Sequence, residues 1–243
     1  MTPSHIGLSP LRQIAGLIAR GRYQVHDVTA HGSGSLLASV DHIIYATPDL
    51  NRGIDEIEGL VAVRASPGGQ HLGLGTRNAL VALGPTTYLE IFALDPDQPP
   101  PRKPRPFGLD DLKESKLIAW FVRGTDLLRL REEAVRRGVP LGEIRSGSRQ
   151  RPDGTELSWQ FTDPRSLVAD GVVPFFIDWG RSQHPAGNAA KGALLVGLRA
   201  EHPNAERVRR MLQQLDLALP VTASSDPALI AVIEGSRGRA ELR

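Results

Sequence analysis

The sequence predicts an α+β protein built from repeated units, each running strand, helix and then two or three strands. Three observations support this prediction. An apolar segment of strand length, a helix-start signal and an amphipathic helix follow one another at three places in the 243-residue chain. Each helix is followed by two short apolar segments with turn-forming residues around them. A single unit of about 75 residues cannot cover both faces of its own sheet, so the units are expected to pair.

The first unit opens with VDHIIYATPDL (residues 40–50), whose valine, isoleucine and tyrosine side chains suit a buried strand. Asp49 lies where a helix N-cap belongs, and NRGIDEIEGLVAV (51–63) is the amphipathic helix that follows. The closing strands are RNALVALG (77–84) and YLEIFAL (88–94), and the turn-forming GPTT separates them. This order is the pattern to which the other two units are aligned.

The second and third units repeat this order. Their opening strands are LIAWFVRGTDL (117–127) and ALLVGLRAEHP (193–203). Thr125 or Asp126 is the N-cap candidate in the second unit, and Asn204 is the candidate in the third. The closing strands are ELSWQFTD (156–163) and VVPFFIDWG (172–180) in the second unit, and LIAVIEGSRG (229–238) and RAELR (239–243) in the third.

The chain is therefore expected to fold as one domain with an N-terminal extension. The extension is predicted to be flexible, with a short basic amphipathic helix and a joint at HGSGS (31–35). The segment between the first two units contains too many prolines to form a helix or a central strand. It is therefore the predicted linker between these units. The predicted boundaries are 1–38 for the extension, 39–180 for a domain of two units (39–94 and 117–180, with the linker at 95–116), and 181–243 for a third unit packed on the same domain.

Composition restricts the classes of function. The formal net charge is +2 with 23% charged residues, which is a weak case for nucleic-acid binding. The absence of cysteine excludes disulfides, thiolate nucleophiles and cysteine-ligated metal sites. No segment approaches the roughly 18 consecutive apolar residues of a membrane helix, and the N-terminus lacks the apolar centre of a secretory signal. We expect a cytoplasmic protein that binds neither nucleic acid nor membrane, with any metal held by nitrogen and oxygen.

Ionisable residues within the apolar strands are the candidates for chemistry. His42 at the head of the first strand is either a core-edge histidine satisfied by a hydrogen bond, or a metal ligand or proton-transfer group. Aligning the closing strands places Glu90, Asp178 and Glu241 at corresponding positions. A carboxylate between apolar residues is costly to bury unless it is paired, protonated or bound to a cation. Glu241, near the C-terminus, is expected to face solvent, whereas Glu90 and Asp178 are either surface positions or site residues.

These motifs, in this order, resemble the vicinal oxygen chelate superfamily and, within it, the glyoxalase-like domain family. The resemblance spans residues 40–243 and rests on VDHIIYATPDL, GGQHLGLGTRNALVALG (68–84), YLEIFAL, RPFGLDDL and VPFFIDWGRSQHP. It implies tandem βαβββ modules that form a cupped, mixed or antiparallel sheet, with a third partial module at the C-terminus. In the superfamily such a cup encloses a divalent ion that the substrate chelates through two neighbouring oxygens, although some members bind drugs without a metal.

Carried over by position, the resemblance implies that His42 and Glu90 ligate the metal. The corresponding first-strand position in the second unit is Ala119 or Trp120, depending on a one-residue gap, and neither side chain ligates a metal. Asp178 fits the last-strand position of that unit. The second unit therefore departs from the family pattern at one ligand.

Two other histidines are candidates near the missing ligand. His184, on the loop GRSQHPAG, is either a metal ligand or an exposed loop histidine. His71, on the glycine-rich loop PGGQHLGLG, is either a metal ligand delivered by the loop or a surface histidine, and we favour a contact with the substrate. Histidine, carboxylate and water ligands suit Mg, Mn or Fe(II) more than Zn.

The resemblance also suggests roles in a reaction. The ion would polarise a substrate oxygen and stabilise an enediolate or alkoxide. Asp178 is the candidate base, because its aromatic neighbours are expected to raise its proton affinity, and Glu90 is the second catalytic candidate. Arg77 and Asn78 are candidates for binding a substrate carboxylate or phosphate. Trp120 belongs either to the core or to the apolar wall of a pocket.

Two functions are compatible with these residues. The first is a divalent-metal-dependent enzyme of lyase, isomerase or dioxygenase type, acting on a small oxygen-rich metabolite. The alternative is a metal-free binding protein of the same fold that sequesters or senses a small molecule. Both predict a small-molecule ligand and a monomer or homodimer.

Overall fold

The computed structural model describes residues 33–150 and 154–243. The basic amphipathic helix predicted near the N-terminus lies outside the described residues. The first described element is a short helix, α1 (Ser33–Ser39), so the last three residues of the predicted HGSGS joint are helical. Leu36 of this helix is buried in the core, which ties the helix to the domain. In the described part of the chain, no helix is long and apolar enough to cross a membrane.

The first module has the predicted element order with one more strand. Asp49 caps the helix as predicted, because its carboxylate accepts a hydrogen bond from the Arg52 amide at 2.8 Å. The additional strand lies in the glycine-rich segment and ends at His71, which the sequence analysis placed on a loop. The elements are β1 (Val40–Thr47), α2 (Leu50–Val61), β2 (Ser66–His71), β3 (Thr76–Gly84) and β4 (Thr87–Leu94).

The second module follows the predicted proline-rich linker, which contains a short 3-10 segment at Pro106–Asp111. Asp126, one of the two predicted N-cap candidates, accepts from the Arg129 amide at 3.4 Å. The strand at Ile144–Gln150 was not predicted, because Gly147 and two arginines obscure its apolar pattern. The elements are β5 (Lys116–Arg123), α3 (Leu127–Arg136), β6 (Ile144–Gln150), β7 (Glu156–Thr162) and β8 (Phe175–Asp178).

The two modules share one curled, mixed sheet of eight strands in the order β2-β3-β4-β1-β5-β8-β7-β6. Strands β1 and β5 meet antiparallel at its centre, and the register pairs His42 with Phe121. Each of these central strands pairs in parallel with the last strand of its own module. The predicted cupped mixed sheet of tandem modules is thereby confirmed.

The two faces of this sheet bury different sets of residues. Successive side chains of a strand point to opposite faces, so residue parity decides which face a side chain joins. The helix-covered face joins the main core, which includes Ile43, Trp120 and Phe176. The cup face carries a separate apolar cluster of Ile44, Ala46, Phe92, Leu109, Ala119, Phe121, Phe175 and Ile177.

The third module forms its own four-stranded sheet, whose strands lie in the order β10 (Val221–Ala223), β9 (Leu194–His202), β11 (Ala228–Gly235) and β12 (Gly238–Leu242). Its apolar side chains join the main core of the first two modules. Asn204 begins its helix without a side-chain cap, contrary to the expectation for this residue. Glu241 is exposed on the last strand and pairs with Arg199 at 2.9 Å, as its solvent-facing position predicts. The elements are β9 (Leu194–His202), α4 (Ala205–Gln214), β10 (Val221–Ala223), β11 (Ala228–Gly235) and β12 (Gly238–Leu242).

Candidate functional site

The imidazole of His42 lies inside the cup between two aromatic rings. Its ring centroid is 4.7 Å from that of Tyr88 and 4.2 Å from that of Phe121, with interplanar angles of 16° and 14°. The side chain is buried, and its Nδ1 lies 2.7 Å from Oδ1 of Asp41. The ring is therefore fixed on both faces and at one edge, and only Nε2 is directed away from these contacts.

Asp41 is a fully buried carboxylate that receives three N–H donors. Besides His42, the indole Nε1 of Trp179 donates at 3.2 Å and Nε2 of His184 lies at 3.1 Å. Burial alone would raise the pKa of Asp41, but the hydrogen bonds from His184 and His42 lower it to about 2. An ionised carboxylate only accepts hydrogen bonds, so Nδ1 of His42 carries the hydrogen. A neutral His42 then presents a bare Nε2 to the cup.

Glu90 on β4 faces this nitrogen. Its Oε2 lies 3.7 Å from Nε2 of His42, and its Oε1 accepts a hydrogen bond from the Asn78 amide at 2.6 Å. Two hydrogen-bond acceptors thus face each other across a gap that is too wide for a direct hydrogen bond. A hydroxyl or acidic C–H of a molecule bound in the cavity beside the two atoms would contact both of them.

His71 and Asn78 complete the polar end of the cup. His71 Nδ1 lies 3.1 Å from the Thr76 hydroxyl, and its Nε2 lies 3.8 Å from Glu90 Oε1. Burial lowers the pKa of His71, and the net effect favours a neutral ring. The charge of Glu90 opposes this shift, and the smaller effect of Arg149 adds to it. A Cβ at position 68 would collide with the Asn78 carboxamide oxygen, so Gly68 makes room for it.

Apolar and aromatic side chains form the rest of the cup. The cavity volume is about 80 Å³, which suits a small ligand. Burial, followed by the charges of Glu90 and Asp41, raises the pKa of the Tyr88 hydroxyl well above its usual range, so this phenol stays protonated. The phenylalanine, tyrosine and tryptophan residues of the lining are Tyr88, Phe92, Phe107, Phe121, Trp159, Phe161 and Trp179.

Arg149 joins the two edges of the curled sheet. It is the penultimate residue of edge strand β6, and its guanidinium donates to the carbonyl of Gly68 on edge strand β2. The side chain is buried and also lines the cavity, to which it brings a positive charge. It therefore closes the cup mechanically and provides a cation beside Glu90 and His71.

Four residues predicted for the site do not line the cavity: Asp178, Trp120 and Arg77, described here, and His184, described with the metal site below. Asp178 alternates with Ile177 and Trp179, which do line it, and its carboxylate accepts from the Gly180 amide at 2.8 Å outside the cup. Trp120 is fully buried in the main core, where its indole donates to Val172 at 2.9 Å. Arg77 alternates with Asn78 and lies 3.8 Å from Asp97. Strand parity therefore corrects three predictions. Asp178 is not placed to act as a base in the cup, and Trp120 and Arg77 are not placed to contact a substrate there.

The residues present do not complete the metal site that the resemblance implies. Both ring nitrogens of His184 are engaged, because Nε2 donates to Asp41 and Nδ1 accepts from the Ala186 amide at 3.2 Å. On the cup face of the second module stand Phe121 and Ile177, which have no ligand atoms. Among the described residues, no group of three histidine, aspartate or glutamate side chains is placed to hold a metal ion. Only His42 and Glu90 of the four predicted ligands face the cavity.

Sequence reasoning missed several residues of the site. Asp41 was given no role, although it adjoins His42 in the sequence, because neighbouring side chains of a regular strand point to opposite faces. A register shift between Val40 and His42 accompanies its approach to the ring. Tyr88 and Phe121 are the register partners of His42 on the neighbouring strands, which requires knowledge of the pairing. Arg149 lies on a strand that the sequence did not reveal.

Comparison with known proteins agrees with this architecture. A family model described as a glyoxalase-like domain matches residues 40–215. A hypothetical protein from Staphylococcus aureus of known structure is 13% identical, with 82% of this chain and 92% of that chain covered and a TM-score of 0.60. Methylmalonyl-CoA epimerase from Mycobacterium tuberculosis is 16% identical, with 62% and 91% covered and a TM-score of 0.37. No curated protein matches the chain. At such identity the first structure shows a shared fold alone.

Proposed function

This chain belongs to the glyoxalase-like domain family of the vicinal oxygen chelate superfamily, and on that premise we propose that its cup is the active site of an isomerase- or lyase-type enzyme. The reaction would move a proton on a small oxygen-containing molecule. The observation that carries the proposal is the 3.7 Å gap between His42 Nε2 and Glu90 Oε2 inside a buried cavity.

In this proposal His42 is the general base. Its Nε2 takes a proton from a carbon or oxygen of a substrate bound in the cavity beside Nε2 and Glu90, and Asp41 stabilises the resulting imidazolium through Nδ1. The imidazolium then returns the proton to a neighbouring atom of the substrate, which restores neutral His42. Glu90 holds the neighbouring hydroxyl of the substrate and orients it. Asn78 keeps the Glu90 carboxylate in place by its 2.6 Å hydrogen bond. The three groups act on one side of the ligand.

The second module supports this chemistry by excluding water. Phe121 covers one face of the His42 ring, and Trp159, Phe161 and Trp179 extend the apolar wall. A low-dielectric wall strengthens the interactions among the charged and polar groups opposite. The small volume favours a compact substrate, and the positive charge of Arg149 favours one that develops negative charge in the reaction.

Solvent-deuterium incorporation tests this proposal. We would incubate the protein in D2O with dihydroxyacetone, glyceraldehyde and lactaldehyde as probes, and follow loss of the C–H signals by NMR. The wild type is expected to accelerate exchange of at least one probe. His42→Asn is expected to slow it by roughly a hundredfold or more, as for loss of a general base. Glu90→Gln is also expected to slow it, because it replaces the charged acceptor that orients the substrate hydroxyl with a neutral one. Asp178→Asn is the matched control and is expected to leave the rate unchanged. No acceleration by the wild type with any probe, or an equal loss in the control, would contradict the proposal.

The metal-dependent enzyme and the metal-free binding protein make different predictions for the same samples. A metal-dependent enzyme, using Mg, Mn, Fe(II) or Zn, would hold stoichiometric metal after mild purification and lose it in His42→Asn. A binding protein would retain a ligand in the presence of a chelator and show no exchange. The apolar Phe121 and Ile177 at the cup face of the second module favour the absence of a complete metal site.

A further inference from the structure

A second cavity lies between the second and third modules, away from the cup. Its volume is about 410 Å³, and it shares no lining residue with the cup. It is bounded by the loop after β7 and by the first turns of α4. Its apolar side is formed mainly by Pro140, Leu167, Val168, Val208 and Met211.

The polar side of this cavity contains a buried histidine paired with an aspartate. His202, the last residue of β9, is buried and its Nε2 lies 3.1 Å from Oδ2 of Asp170. Its Nδ1 accepts a hydrogen bond from the Asn204 amide at 2.9 Å, so Nε2 carries the hydrogen that is donated to Asp170. The other oxygen of Asp170, Oδ1, accepts from no residue in the described ranges. Asp170 lines the cavity with a side chain that is 64% exposed; one of its oxygens is held by His202, and the other is open to solvent and to a ligand.

The backbone that carries Asp170 is itself unusual. Ala169 and Asp170 have φ values of 49° and 53°, a left-handed conformation that residues other than glycine adopt rarely. Gly171 follows with a φ of 87°, and a Cβ there would collide with the Ile118 carbonyl. The loop is therefore fixed against β5, and its conformation places the Asp170 carboxylate beside His202.

Arg207 provides a positive charge in the same cavity. It lies in the first turn of α4 and makes no ion pair or hydrogen bond with any side chain that the structure describes. Its neighbours Arg209 and Arg210 both pair with Glu206, at 3.0 and 3.3 Å. The cavity thus combines an apolar side with two opposite charges. Among the described residues, one oxygen of the Asp170 carboxylate and the Arg207 guanidinium have no side-chain partner.

We infer that this cavity binds a small zwitterion with an apolar side chain, the chemistry of an apolar amino acid. Asp170 Oδ1 would accept from the ammonium group, Arg207 would bind the carboxylate, and the apolar side chain would lie against Leu167, Val168 and Met211. A simple anion is disfavoured because it would approach Asp170, and a simple cation is disfavoured because it would approach Arg207. The site is independent of the proposed reaction in the cup.

Calorimetric titration with L-methionine tests this inference on the full chain. The wild type is expected to show saturable binding. Arg207→Gln and Asp170→Asn are each expected to weaken it by roughly tenfold or more, because each removes one charge-assisted contact. Asparagine tolerates the left-handed conformation and retains an oxygen for His202, so Asp170→Asn is expected to fold. Arg209→Gln, on the same helix turn but outside the cavity, is the matched control.

Two modified ligands assign each charge to its partner. N-acetyl-L-methionine lacks the ammonium and L-methioninamide lacks the carboxylate, so both are expected to bind the wild type more weakly than L-methionine. In Arg207→Gln the amide and the free amino acid are expected to bind equally. Absence of saturable binding of L-methionine to the wild type would overturn the inference. Equal weakening in Arg209→Gln, or methioninamide binding to the wild type as tightly as methionine, would overturn it as well.

Discussion

The first half of the cup, residues 40–94, contributes its hydrogen-bonding side chains, whereas the second half, residues 117–180, contributes mainly aromatic rings. His42, His71 and Glu90 all come from the first half. At the cup-facing positions of the central and last strands of the second half stand Ala119, Phe121, Phe175 and Ile177. The two halves have the same element order and lie in one sheet. Modules of the same fold can therefore present polar side chains to the cup in one half and apolar side chains in the other.

This difference indicates how the two halves depend on each other. The second half provides the Phe121 ring that stacks on one face of His42 and the Trp179 indole that donates to Asp41, although it provides no base of its own. His184, which follows the second half in the chain, also donates to Asp41. Its role is to position and to desolvate the polar groups of the first half. Changes in either half are therefore expected to alter the site, but through different physical effects.

The largest effect on stability is expected where the two halves meet at Asp41. Asp41→Asn removes a buried charge that accepts from His42, His184 and Trp179, and the new amide group presents hydrogens to at least one of these donors. We expect a loss of about 3 kcal/mol in the free energy of unfolding, as for a broken buried network. Urea unfolding at neutral pH measures it.

The pH dependence of this loss provides its control. The folded-state pKa of Asp41, about 2, lies below the ordinary value of 3.8. Its ionisation therefore contributes stability that is complete above about pH 4, and this contribution, about 2 kcal/mol, disappears as the pH falls toward 2. The stability difference between wild type and Asp41→Asn should narrow over the same range. A difference that stays constant from pH 6 to pH 2 would show that the Asp41 charge is not the cause.

A smaller effect is expected from the aromatic wall. Phe121→Leu removes the ring that stacks on His42 at 4.2 Å, and Phe176→Leu removes a comparably buried ring on the opposite face of the sheet. Both are expected to cost about 1–2 kcal/mol of stability. Only Phe121→Leu should also slow deuterium exchange of a reactive probe, because the His42 ring then loses the aromatic contact that holds one of its faces. Equal exchange rates for the two variants would mean that the wall does not position His42.

Much of the fold was predictable from the sequence because apolar segments and helix caps are local signals. The repeated modules, the cupped sheet and the placement of Asp49 and Asp126 at helix starts follow from patterns of a few residues. The strand at Ile144–Gln150 was not predictable, since its glycine and arginines are stabilised by pairing with β7 rather than by their own propensity.

The site was less predictable, because it depends on strand parity and register. His42 and Glu90 were found, since an ionisable residue in an apolar strand is a strong signal. Asp178 has the same signal as Glu90, but its side chain lies on the opposite face from that of Ile177. Trp120 and Phe121 differ by one position in the sequence, and only the pairing of β5 with β1 shows which of them meets His42.

The hydrogen positions on the His42 ring test the central claim most directly. Two-bond proton–nitrogen NMR of 15N-histidine protein at pH 8, with His42→Asn used for assignment, distinguishes the two ring nitrogens. We predict that Nδ1 carries the hydrogen bonded to Asp41 and that Nε2 is bare, ready to accept a proton from a bound molecule. A hydrogen on Nε2 would contradict the assignment of His42 as the base.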